Sequence, residues 1–199
     1  MIVAVPESAP IILLPDAGPL ITLAYADALD LLIQPGWPVR IVDMVLHEVT
    51  RNATPTSEKI RGWVTARRPG ILATRVHKHY QSALAQGRER PRKANLGEIA
   101  IQEVMHELAL TEPDITGVFL FEDHKIARAS FHVPDNCRKV STRAWLQFLE
   151  GKGRIASAAD VERELRDTHL GSTLRKYPPG HPIFSGHFGT PTFLERRDP

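Results

Sequence analysis

Acidic side chains follow the two most apolar segments of the sequence. Asp16 comes just after Ile11–Leu14, and Glu122 and Asp123 come directly after Val118–Phe121. Short, fully apolar runs are typical of strands that are buried on both faces of a parallel sheet. Ligands bind beyond the carboxyl ends of such strands, so we expect these acids to lie at the ligand-binding edge of the sheet.

Two further acids lie near the starts of predicted helices. Glu48 lies one turn into the helix that follows a second strand, and Glu98 lies in the first turn of a helix that begins at Asn95. The starts of both helices should face the same edge of the sheet. The sequence therefore predicts one constellation that consists of Asp16, Glu48, Glu98 and Asp123.

Carboxylate oxygens of this kind are the ligands that Mg²⁺ and Mn²⁺ prefer. Such an ion lowers the pKa of a bound water and neutralises charge on a phosphate during its transfer. Without a cation, clustered carboxylates would repel one another and a phosphate backbone. We therefore interpret the four acids as candidate catalytic residues and expect Mg²⁺ or Mn²⁺ as the cofactor.

Each acid also has a purely structural interpretation. Asp16 can be a turn residue, and Glu98 stands three residues after Asn95, which is the spacing of a capping box. Glu48 can compensate a helix dipole, and Asp123 can cap the helix that follows it. The shared location of the acids at one sheet edge favours the joint hypothesis over these separate ones.

Strands and helices alternate along the chain, which predicts a parallel, layered α/β fold. The predicted strands are Ile11–Leu14, Val39–Val42, Ile71–Val76, Val118–Phe121 and Lys139–Val140. The predicted helices run from about Pro19, from Asp43 to Val49 or Arg51, and over Ser57–Arg67, His77–Gln86, Asn95–Leu108, His124–Ala129, Thr142–Glu150 and Ala158–His169. After Gly171 the chain is rich in proline and glycine, so we predict an irregular tail over 171–199 behind a domain of residues 1–170.

Four motifs, in this order, resemble the PIN-domain nucleases, in particular the prokaryotic branch that includes VapC-type toxins. They are Asp16-Ala-Gly-Pro-Leu-Ile-Thr-Leu-Ala, Val45-Leu-His-Glu-Val49, Asn95-Leu-Gly-Glu-Ile-Ala100 and Phe121-Glu-Asp-His-Lys-Ile-Ala-Arg128. The resemblance implies a three-layer sandwich with a central, mainly parallel sheet flanked by helices, followed by a C-terminal helix.

The resemblance also implies metal-dependent endoribonuclease activity, with RNA as the substrate. Asp16, Glu98 and Asp123 are then the expected metal ligands, and Glu48 is a ligand or an orienting residue. Glu122 is an alternative to Asp123 for the fourth acidic position. An antitoxin protein and a homodimer are further partners that the resemblance suggests.

Several polar and basic residues are candidates for substrate binding. Thr142 carries over from the resemblance as a residue lining the site. The densest basic run of the chain, together with two cations after Asp123, could contact phosphates or form solvated surface; these residues are Arg88, Arg90, Arg92, Lys93, Lys125 and Arg128.

Composition places the chain among globular proteins. Of its 199 residues, 42% are hydrophobic and 24% are charged, and the net charge is only +2. A single cysteine excludes an internal disulfide, and no segment looks like a secretory signal or a membrane span, so we expect a cytoplasmic protein. An inert PIN scaffold that binds RNA or protein, a DNA nuclease and a phosphatase remain alternative hypotheses.

Overall fold

Parallel strands form the centre of the molecule. The computed structural model describes residues 10–87, 95–122 and 133–167. In sequence order its strands are β1 (Ile11–Pro15), β2 (Arg40–Val42), β3 (Gly70–Leu72), β4 (Thr116–Phe121) and β5 (Cys137–Ser141). A three-stranded sheet has the order β1-β4-β5, and β2 pairs with β3. All of these pairings are parallel.

The two sheets meet at β1. A parallel bridge joins Leu13 to Val39, and the Leu13 N–H donates to the Pro38 carbonyl at 2.9 Å. The strands therefore follow one another across the molecule in the order β3-β2-β1-β4-β5. Because β1 and β4 lie in the interior of this series, both are expected to be apolar on both faces.

Helices connect the strands and pack around them. They are α1 (Ala17–Tyr25), α2 (Asp43–Thr50), α3 (Pro55–Arg67), α4 (Arg75–Ala85), α5 (Leu96–Thr111), α6 (Thr142–Gly151) and α7 (Ala158–Asp167), with a short 3₁₀ helix at Leu29–Leu32. A capping box begins α3: the Thr54 hydroxyl oxygen accepts a bond from the Ser57 N–H, and the Ser57 hydroxyl oxygen accepts one from the Thr54 N–H.

The core lies where β1 and β4 meet the helices. Leu13, Phe119 and Leu120 are fully buried, as are Leu23 of α1 and Met105 of α5. The alternation of strands with helices, predicted from the apolar runs, is confirmed as an α/β fold with a three-stranded parallel sheet and several helices.

One predicted strand is much shorter than expected. The sequence predicted an extended segment over Ile71–Val76, but β3 ends at Leu72 and α4 begins at Arg75. Thr74 explains the difference, because its hydroxyl accepts a bond from the His77 N–H and caps the helix. The helix predicted over His124–Ala129, the end of the last helix and the tail lie outside the described residues.

In the described part of the chain, no helix is long and apolar enough to cross a membrane.

Candidate active site

Two predicted acids lie buried at the ends of adjacent central strands. Pro15 at the end of β1 is in register with Leu120 of β4, and the Asp16 N–H continues the pairing by donating to the Leu120 carbonyl at 2.9 Å. Asp16 is only 1% exposed and Glu122 only 2%. Burying two carboxylates at one sheet edge costs free energy unless their surroundings compensate the charge, so the arrangement calls for a chemical explanation.

Asp16 does not behave as a simple helix cap. It occupies the residue before α1 in an extended conformation, but its side chain makes no capping hydrogen bond to that helix. Capping of α1 is therefore not the role of this carboxylate, which is engaged in other contacts.

Glu122 is held by hydroxyl groups from two helices. The Thr22 hydroxyl, in α1, donates to Oε1 of Glu122 at 2.9 Å. The Thr142 hydroxyl, at the start of α6, lies 3.4 Å from the same oxygen and 3.3 Å from the Phe121 carbonyl. Thr142 was predicted to line the site, whereas Thr22 was not. Only a weak sequence pattern pointed to Thr22, which is the single polar residue of the apolar segment Leu20–Ala24.

Gly18 allows Glu122 to approach α1 closely. A Cβ added at Gly18 would lie 2.5 Å from Cγ of Glu122 and 3.5 Å from its Cβ. The first distance is far below a normal contact between carbon atoms. The Asp16-Ala-Gly segment thus contributes an acid and, two residues later, the space into which the second acid fits.

Glu48 and the start of α5 form a second contact between predicted site segments. Oε1 of Glu48, in α2, accepts a hydrogen bond of 3.0 Å from the Gly97 N–H. Asn95, which the sequence offered as a cap, makes no side-chain capping bond. Glu48 therefore satisfies an N–H that the first turn of α5 leaves unpaired, beside the half-buried Glu98.

The contact between Glu48 and Gly97 lies toward the same edge of the sheet as Asp16. Arg40 at the start of β2 forms an ion pair of 3.2 Å with Glu112, directly after α5. The last turn of α5 is thus anchored where β2 begins, and its first turn points toward the edge where the parallel strands end. Since α2 follows β2 without a loop, its start lies at that edge as well.

The donor atoms suit a hard divalent cation, but the described residues do not complete a site. Asp16, Glu122, Thr22 and Thr142 offer carboxylate and hydroxyl oxygens, the donor type that Mg²⁺ and Mn²⁺ take. Within residues 10–87, 95–122 and 133–167, no group of three or more His, Cys, Asp or Glu side chains is arranged to hold a metal ion. The remaining candidates lie outside the described residues: Arg88, Arg90, Arg92, Lys93, Asp123, Lys125 and Arg128.

A separate polar cluster fixes α4 beside α2. The Asp43 carboxylate accepts bonds from the Thr74 N–H at 2.9 Å and the Thr74 hydroxyl at 2.7 Å. Nδ1 of His77 lies 3.1 Å from the same carboxylate. The cluster holds the first turn of α4 in place, a role that neither histidine spacing nor charge patterning indicated.

Glu103 of α5 braces the same end of α4. It accepts bonds from the Arg75 N–H at 2.9 Å, from Arg75 Nε at 3.1 Å and from the Val76 N–H at 3.2 Å. Burial acts to raise the pKa of Glu103, but these bonds and the Arg75 charge outweigh it and lower that pKa below its usual value.

An open cleft of about 970 Å³ lies between α4 and α5. Its walls mix Arg75 and Lys78 with Glu103 and Glu107, so neither sign of charge dominates. Asp16, Glu48, Glu98 and Glu122 are not among its lining residues, whereas Asp43 at the start of α2 and Ile99 beside Glu98 are.

A comparison with models of known protein families finds none that matches this chain, and no curated protein matches it either.

Proposed function

We propose that this protein is a metal-dependent endoribonuclease with a PIN-like three-layer sandwich fold. The observation that carries the proposal is the burial of Asp16 and Glu122 at the ends of two adjacent parallel strands, with two hydroxyl groups in contact with Glu122. This edge is where α/β proteins bind ligands. The four motifs that resemble PIN nucleases supply the reaction class.

Some of the acids would bind the metal ion, and Glu48 would orient a residue that binds it. Asp16, Glu98 and Asp123 would bind Mg²⁺ or Mn²⁺, with Glu122 as the alternative for the last of these. Glu48 would act through its bond to Gly97, which fixes the turn that carries Glu98. When bound, the metal would supply an activated water and neutralise charge on the phosphate.

The proposal extends to the substrate and the setting. Arg88, Arg90, Arg92, Lys93, Lys125 and Arg128 are the cations that would grip an RNA backbone. We also propose that the protein acts in the cytoplasm, where its single, buried cysteine would stay reduced. A role as the toxin of a toxin–antitoxin pair, with an antitoxin partner or as a homodimer, is a narrower form of the hypothesis.

The test is cleavage of labelled single-stranded RNA in Mn²⁺, Mg²⁺ or EDTA, by wild type and by Asp16→Asn. Asparagine keeps the size of the side chain and removes the negative charge. We expect metal-dependent cutting that Asp16→Asn abolishes. The matched control is Asp114→Asn, because Asp114 is exposed in the turn between α5 and β4, at the opposite end of the sheet.

Calorimetric titration with Mn²⁺ adds a readout that needs no substrate. Site-specific Mn²⁺ binding by wild type and by Asp114→Asn, but not by Asp16→Asn, is the expected pattern. Full cleavage by a folded Asp16→Asn protein would refute the assignment of the site. If wild type neither cuts RNA nor binds Mn²⁺, the proposal fails in favour of an inert scaffold.

A further inference from the structure

The bond between Thr22 and Glu122 is the stronger of the two hydroxyl contacts on this carboxylate. At 2.9 Å, the Thr22 hydroxyl lies at an ordinary hydrogen-bond distance from Oε1. Thr142 has one hydroxyl proton, which must be shared between the Glu122 carboxylate at 3.4 Å and the Phe121 carbonyl at 3.3 Å. Thr22 is therefore the residue with the firmer hold on the orientation of Glu122.

The surroundings of this bond make it strong and directional. Thr22 is 6% exposed and Glu122 is 2% exposed, so water competes little for either group. A hydrogen bond is electrostatically stronger in a medium of low dielectric constant than in water. Cγ of Glu122 fills the space that a side chain at Gly18 would need, since an added Cβ would lie 2.5 Å from it. The side chain is therefore packed against α1 at its stem and hydrogen-bonded at its oxygen.

We propose that Thr22 is a positioning residue of the acidic site, whose hydroxyl fixes the Glu122 carboxylate between α1 and α6. The inference rests on the proposed function, because the purpose of this restraint is to keep an oxygen ligand or its immediate neighbour in a geometry that accepts a divalent ion. Residues that orient metal ligands change metal affinity when they are substituted, although they do not touch the metal.

The experiment measures Mn²⁺ affinity by calorimetry for wild type, Thr22→Val and Thr22→Ser. Valine keeps the shape of threonine and removes its hydroxyl, whereas serine keeps the hydroxyl and removes a methyl group. We expect Thr22→Val to weaken Mn²⁺ binding by about 10- to 100-fold and Thr22→Ser to stay close to wild type. Thr56→Val is the matched control, since Thr56 is also 6% exposed and its hydroxyl contacts Thr54.

A double-mutant cycle shows whether Thr22 acts through Glu122. In a Glu122→Gln background, Thr22→Val should weaken Mn²⁺ binding much less than it does in wild type, because the oriented carboxylate is already lost. If Thr22→Val does not fold, Thr22→Ala replaces it. Alanine and serine differ by the hydroxyl oxygen alone, so their comparison asks the same question.

The outcomes separate this inference from the proposed function. If wild type binds Mn²⁺ and Thr22→Val binds it with the same affinity, the positioning role of Thr22 is overturned and the nuclease proposal stands. Equal losses in the serine and valine variants would also overturn it, because packing and not the hydroxyl would then matter. Absence of Mn²⁺ binding in wild type would remove the proposed function and this inference together.

Discussion

Replacing Gly18 by alanine should destabilise the protein although it adds a better helix former. In a helix, alanine is favoured over glycine by roughly 0.5–1 kcal/mol. At Gly18, however, the new Cβ would lie 2.5 Å from Cγ of Glu122. Cγ is near the stem of a buried side chain, so relief requires α1 or β4 to shift. Overpacking of this kind costs about 1–3 kcal/mol, which leaves a net loss of about 0–2.5 kcal/mol.

Gly62 provides the matched control for this prediction. It lies in α3, and a Cβ added there would meet no atom of the described residues within 4 Å. Gly62→Ala should therefore stabilise the protein by roughly 0.5–1 kcal/mol. The free energy of unfolding of the two variants should then differ by about 1–3 kcal/mol, or by about 2–12 °C in Tm for a chain of this size.

The assay is denaturant unfolding of wild type, Gly18→Ala and Gly62→Ala, followed by Mn²⁺ titration of the folded proteins. Gly18→Ala should also weaken Mn²⁺ binding, since it displaces Glu122, whereas Gly62→Ala should leave it unchanged. If Gly18→Ala stabilises the protein as much as Gly62→Ala does, the close approach of Glu122 to α1 is wrong.

Two further predictions follow from titratable groups outside the acidic edge. The lowered pKa of Glu103 means that this residue adds stability above its unfolded pKa of about 4.3, and that the contribution is lost as the pH falls through the lower folded value. Glu103→Gln should therefore reduce the loss of unfolding free energy as the pH falls, whereas Glu107→Gln, at an exposed position, should not. If the two variants show the same dependence of unfolding free energy on pH, Glu103 does not brace α4. Burial raises the pKa of Cys137 to about 11, and the Arg138 charge opposes the shift. Alkylation of this thiol in mildly alkaline buffer should therefore be slow in the native protein and fast after unfolding. Equal alkylation rates in the two states would mean that the thiol is not buried.

The sequence alone was sufficient to predict the elements that carry the acids. Ile11–Leu14 and Val118–Phe121 lack polar residues, and such short apolar runs are typical of strands that are covered on both faces. Their pairing as β1 and β4 puts Asp16 and Glu122 at one edge. The two strands could be predicted because an apolar run is a property of a short, local stretch, whereas their pairing joins segments that are far apart in the sequence.

Local patterns were a weaker guide where several signals competed. The stretch Ile71–Val76 contains enough apolar residues to predict a strand, but Thr74 caps α4, which begins at Arg75. At Asn95 and Glu98 the spacing matched a capping box, yet the Asn95 side chain makes no capping bond and Glu48 accepts a bond from the Gly97 N–H instead. In both cases a side-chain hydrogen bond at a helix start decided the outcome, and hydrophobic periodicity does not report such bonds.

What the tertiary structure alone decided is which distant groups hold the acids in place. Thr22 and Glu122 are 100 residues apart in sequence, and Glu48 and Gly97 are 49 apart. No local pattern encodes either contact, because each depends on how helices pack after the strands have paired. The sequence supplied the acids and the strand ends that carry them, whereas chain packing supplied the hydroxyl and the backbone N–H that orient Glu122 and Glu48.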